Sequence, residues 1–134
     1  MLAASDIGRA EHAGARAALD DWPSRGTTLY TSGQVLREYL SVATRPEQHN
    51  GLGLSMTDTL GNVRALQERL THLAENEKVT ARLLELLAGV RCTGKQVHDA
   101  NIVATMLVHG IDTLATINVD DFTRFVPQIA VVAL

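Results

Sequence analysis

Apolar positions along this chain recur at two periods, near 3.6 residues and in short unbroken runs. The segments they mark alternate between helix and strand. Residues 9–22 predict a helix in which Ala10, Ala13, Ala17 and Ala18 form a small-residue face. Pro23 and Gly26 mark a turn, and TTLYT at 27–31 predicts a strand. Ser32 is placed to cap a helix over 33–43, which Arg45-Pro46 stops because proline disfavours a helical residue before it. Asn50-Gly51 and Gly53 make 47–54 a mobile loop. Two further helices are expected, over 56–72 and 77–87, paired as a hairpin that serves the core and a dimer or partner surface. Residues 89–93 hold a short strand or a loop, and IAVVAL at 129–134 has no polar alternation, as in a strand buried on both faces.

The stretch 93–125 carries the densest information. Thr93 and Gln96 have the spacing of a capping box. From Val97 to Val108 nearly every position is apolar, the exceptions being His98, Asp99, Asn101 and Thr105, so this helix should be buried over most of its circumference. Gly110 stands where a helix ends in a left-handed residue. A β-branched strand over 113–117 follows, then Asn118, Asp120, Asp121 and Phe122. Val103, Leu107, Leu114 and Ile117 should be buried where helix and strand pack. Helices alternating with apolar strands predict an α/β fold with a parallel sheet covered on both faces.

Composition narrows the picture. A chain of 134 residues, 46% hydrophobic, is expected to form one domain, 1–134, with a substantial core. A net charge of −3 provides no large basic field for unspecific nucleic-acid binding, although a small local patch would serve an RNA substrate. The single Cys92 precludes an internal disulfide and suits a reducing cytosol, and the sequence shows no signal peptide and no membrane-length apolar run.

Candidate chemistry lies in oxygen-bearing side chains. Asp99 falls early in an apolar helix, and a buried carboxylate is costly unless it is paired or binds a metal. Asn118 and Asp121 follow the C-terminal end of a strand, where sites form in open parallel sheets. Asp99 would approach both if helix and strand pack side by side, and such oxygen clusters suit Mg²⁺ or Mn²⁺. Glu38 shares a stripe with Val35 and Val42, at the edge of the buried side of its helix. It either pairs on the surface with Arg37 or Arg45 or belongs to the metal site. His12, His49, His72, His98 and His109 show no zinc spacing, and His98 reads as a helix-surface residue or a support to a ligand. Ser32 and Ser41 lack a nucleophile turn, and no phosphate-binding glycine loop occurs. Arg37, Arg45 and Arg124 are either RNA-phosphate contacts or solvated charges.

HDANIVATMLVHGIDTLATINVDDFTRF, 98–125, resembles the C-terminal half of a PIN domain of the VapC toxin type, and QVLREYLSVATRP, 34–46, resembles that family's second helix. With EHAGARAAL, 11–19, the likeness spans nearly the whole chain in the family's order. The resemblance implies a PIN-like three-layer α/β/α fold and a metal-dependent endoribonuclease, the toxin of a VapBC toxin–antitoxin pair. It implies that Glu38, Asp99 and Asp121 are catalytic and that Glu38, Asp99, Asn118 and Asp121 hold Mg²⁺ or Mn²⁺. Where some members of the family have Asp, Asn118 brings an uncharged amide, which shifts weight to Asp121 three residues on. It further implies an RNA substrate, a VapB-type antitoxin, a homodimer, and a cytoplasmic protein with no membrane partner. The family's opening strand and its terminal Asp have no counterpart here: MLAAS resembles the start of the helix after that motif, and Asp6 lies too far along to take the role. Either the true start lies upstream, which the retained HDA and NVDDF patterns favour, or the chain is a remnant. As a remnant it would be a catalytically dead PIN-like scaffold that pairs with an antitoxin or with itself.

Overall fold

The computed structural model describes residues 13–134. The expected missing first strand, Asp6, Ala10 and the start of the first predicted helix lie outside the described residues. The chain divides into two compact units, with the division in sequence falling between His72 and Leu73.

In the first unit, helix α1 spans Ala13–Ser24, running past Pro23 instead of turning there. Its end is a Schellman motif: Thr27 N–H donates to the Trp22 carbonyl and Gly26 N–H to the Pro23 carbonyl, each at 3.0 Å, with Gly26 at φ +83°. Its buried face is Ala15, Ala18 and Leu19, at i, i+3 and i+4, and Ala17, expected inside, is exposed. Strand β1, Tyr30–Ser32, runs directly into helix α2, Gly33–Thr44. Ser32 caps α2 as its sequence position predicts, its Oγ accepting from Val35 N–H at 3.4 Å.

The segment after α2 is not the mobile loop expected. Leu52, Leu54 and Gly53 N–H groups donate to the carbonyls of Val42, Ala43 and Arg45, so it folds back and satisfies the open C-terminal end of the helix. Gly51 is required there, because a Cβ would collide with the Arg45 carbonyl. Helix α3, Met56–Gln67, is capped by Ser55 and buries Thr59, Val63 and Leu66. It stops short of the predicted 72. Thr71–Leu73 is instead strand β2, paired with β1, and Thr71 N–H donates to the Leu29 carbonyl at 2.8 Å. Leu70 and Leu73 keep helical spacing, so periodicity alone could not separate the two states. The hydrogen-bonding edge of β1 decides between them. The predicted hairpin is thus interrupted in sequence by a strand.

In the second unit, helix α4, Glu77–Gly89, is capped by Asn76 and packs along helix α5, Gln96–Val108. The latter buries Ala100 and the whole run Ile102–Met106, as its apolar pattern predicts. Ile111 N–H donates to the Met106 carbonyl and Gly110 N–H to that of Leu107, a second Schellman motif, with Gly110 at φ +69° as expected. Strand β3, Thr113–Thr116, then pairs in parallel with strand β4, Ala130–Ala133, Leu114 opposite Val131. The short helix α6, Val119–Phe122, and the turn after it place Phe122 and Phe125 in the core, ring centroids 6.3 Å apart. Complete burial of side chains such as Phe125, Met106 and Leu114 contributes about 1.5–3 kcal/mol each.

Two burial expectations fail here. Val103 and Leu114 are fully buried, but Leu107 and Ile117 are only half-buried. Strand β4 is not enclosed on both faces: Ala130, Val132 and Ala133 are exposed, and Ile129 just before it is the buried anchor. An apolar run without alternation permits two-face burial but does not supply a covering layer. The expected parallel sheet is seen as the β3–β4 pair, and the described strands form two two-stranded sheets.

Candidate metal site

Glu38 sits in the second turn of α2, half-buried. One turn earlier, Gln34 is 6% exposed, and its Nε2 donates to Glu38 Oε1 at 2.8 Å. This is the i, i+4 geometry that brings side chains together on one helix face. Of the two arginines that the sequence offers Glu38 as surface partners, Arg45 donates from Nη2 to Ser41 Oγ at 3.5 Å.

Asp99 lies in the first turn of α5 and is half-buried. A carboxylate there is stabilised by the positive end of the helix dipole. The capping box is only half formed. Gln96 Oε1 accepts from Thr93 N–H at 2.9 Å, but the Thr93 hydroxyl turns to the same Gln96 oxygen at 3.4 Å and caps no backbone group of the helix.

Asn118 follows β3 and precedes α6. Its backbone N–H donates to the buried Thr116 Oγ1 at 3.0 Å, and its carbonyl accepts from Asp121 N–H at 3.2 Å. These two bonds fix the turn that carries both predicted residues. The Asn118 side chain does not cap α6, and Asp121 is exposed on that short helix.

The donor chemistry of these positions fits a hard divalent cation: carboxylate and amide oxygens, with no thiolate or imidazole among them. Among the described residues, no three His, Cys, Asp or Glu side chains gather in a group that could hold a metal ion. Mg²⁺ commonly takes one or two carboxylates and completes its shell with water and substrate phosphate, so a sparse protein donor set suits it. Elsewhere, His98 is exposed, as its surface reading predicts. Arg124 is half-buried, with its Nε enclosed and its Nη1 directed at the Arg91 carbonyl at 3.4 Å, a contact that ties the turn after α6 to the segment before α5.

Gln34 and Thr116 do not stand out in the sequence. Gln34 has a signal there, an amide four residues before a carboxylate on one helix face. Thr116 has a weaker one, a hydroxyl two residues before the amide it turns.

A family model described as PIN domain matches residues 2–125. A chain in the crystal structure of VapBC2 from Rickettsia felis, bound to a DNA fragment from their promoter, has a similar fold. Its TM-score is 0.67 at 16% identity, covering 99% of this chain and 97% of that one. No curated protein matches in sequence.

Proposed function

Because the chain belongs to the PIN-domain family, we propose that it is a metal-dependent endoribonuclease, the toxin of a VapBC-type toxin–antitoxin pair. The observation that carries the reading is the family match over 2–125, which includes Glu38, Asp99, Asn118 and Asp121. The fold it shares with a VapBC2 chain supports the same reading.

Glu38, Asp99 and Asn118 or Asp121 would hold Mg²⁺ or Mn²⁺. The chemistry the bound ion supplies is that of a Lewis acid: a more acidic water for in-line attack on a phosphodiester, and charge neutralisation at the departing oxygen. The chain's own residues do the positioning. Helix α5 carries Asp99 in its first turn, and Thr116 fixes the backbone turn that carries Asn118 and Asp121. Asn118 offers an oxygen without charge, so Asp121 provides the negative charge on that side. The substrate is RNA, the partners are a VapB-type antitoxin and a second copy of the chain, and the setting is the cytoplasm. Among the described residues no helix is long and apolar enough to cross a membrane.

A second reading is a PIN-like scaffold that binds its antitoxin without cutting RNA. It is favoured by Asn118, an uncharged amide at a position where some members of the family have Asp. The two separate in one assay. Purified chain is incubated with structured RNAs in Mg²⁺, in Mn²⁺ and in EDTA. The nuclease gives discrete fragments that EDTA abolishes, and the scaffold leaves the RNA intact in all three.

A further inference from the structure

We propose that Gln34 is a positioning residue that holds the Glu38 carboxylate in the orientation in which it meets a divalent cation. The inference rests on the reading of Glu38 as one of the metal-holding residues.

Gln34 is 6% exposed in the first turn of α2, between the buried Ser32 and Val35. A buried amide must find partners for its donors and its acceptor. An ionised carboxylate only accepts hydrogen bonds, so the NH₂ group of Gln34 has to face Glu38. The 2.8 Å bond from Nε2 to Oε1 has that sense.

The helix itself limits how far this pair can drift. Ser32 caps α2 two residues before Gln34, and Val35 and Tyr39 anchor the same turns in the core. A Glu side chain left to itself samples many rotamers and loses that freedom when it binds an ion. With Oε1 fixed by a buried donor, part of the ordering precedes the cation, and Oε2 is the oxygen presented to it.

The choice of an amide matters. A Lys or Arg at position 34 would form an ion pair with Glu38 and compete with a cation for its charge. Gln donates a hydrogen bond and leaves the negative charge uncompensated. Carboxylates that bind metals are characteristically hydrogen-bonded in this way, and removing such a supporting group typically lowers metal affinity about 10–100-fold.

The test uses the full chain and Mn²⁺ as the probe, with free Mn²⁺ read by its paramagnetic resonance signal. Five proteins are titrated: the native chain, Gln34→Met, Gln34→Asn, Glu38→Ala and the Gln34→Met/Glu38→Ala double variant. Gln34→Met keeps the length and apolar body of the side chain and removes the donor, and Gln34→Asn, too short to reach, serves as a second variant that keeps a polar group. Thermal unfolding in EDTA is recorded for each. The expected result is a loss of Mn²⁺ affinity of about 10–100-fold for Gln34→Met and Gln34→Asn, with the unfolding midpoint retained. In the Glu38→Ala background the Gln34→Met change should have no further effect on affinity, because the group it acts through is gone. If Glu38→Ala weakens Mn²⁺ binding while both Gln34 variants stay within about twofold of the native chain, on a scale where supporting groups are worth tenfold or more, the positioning role is overturned and the metal reading of Glu38 stands. If Gln34→Met weakens binding equally with and without Glu38, its effect is structural and the proposal fails. If Glu38→Ala leaves Mn²⁺ affinity unchanged, the metal reading of Glu38 fails and takes the proposal with it.

Discussion

Single residues hold the ends of α2, the helix that presents Glu38. Ser32 Oγ satisfies one of the open N–H groups at its start. Ser32→Ala should cost about 0.5–2 kcal/mol in denaturant unfolding, and a loss below about 0.3 kcal/mol would show that this cap matters little in its buried setting. At the far end, Gly51 lies where a Cβ would meet the Arg45 carbonyl. Gly51→Ala must therefore displace the returning loop from the α2 carbonyls, and amide hydrogen exchange of Leu52, Gly53 and Leu54 should quicken. Unchanged exchange at all three would mean that the loop accommodates the methyl group without giving up its bonds.

The elements differ in how far the sequence disclosed them. Helix α5 was legible because an apolar run closed by Gly110 leaves few alternatives, and α2 was legible from Ser32 at one end and Arg45-Pro46 at the other. Strand β2 was not, since Leu70 and Leu73 satisfy helical spacing and the strand exists through pairing with β1, a distant event that local pattern does not carry. The exposure of β4 was hidden for a related reason: burial belongs to the neighbours of a strand as well as to its residues. The same distinction separates Met106, fully buried on α5, from Leu107, half-buried beside it. Met106→Ala should cost about 2–5 kcal/mol, and Leu107→Ala clearly less. Equal losses in denaturant unfolding would contradict the face of α5 assigned to the core. The candidate site residues follow from residue types in order, while Gln34 joins them only through its bond to Glu38.

For the whole molecule, a net charge of −3 sets what RNA binding can rest on. On the proposed ribonuclease reading and without a broad basic field, attraction would come from a few local cations, with the exposed Arg37 and Arg45 as candidates. Each neutralised phosphate contributes roughly −0.7 to the slope of log affinity against log salt for single strands. Binding of RNA by an Asp99→Asn chain should therefore show a shallow slope, on the order of −1 to −2. A slope steeper than about −5 would require many more phosphate contacts than these cations provide. The central claim, that the carboxylates of this PIN domain support metal-dependent RNA cleavage, is tested most directly by one rate comparison. Initial cleavage of one structured RNA is measured at saturating Mg²⁺ for the native chain and for Asp99→Asn, with thermal unfolding confirming that both are folded. The native chain is expected to cut, EDTA to stop it, and Asp99→Asn to be slower by at least about 100-fold, roughly 2.7 kcal/mol of barrier. Equal rates for the two folded proteins, or intact RNA with the native chain, would contradict the claim.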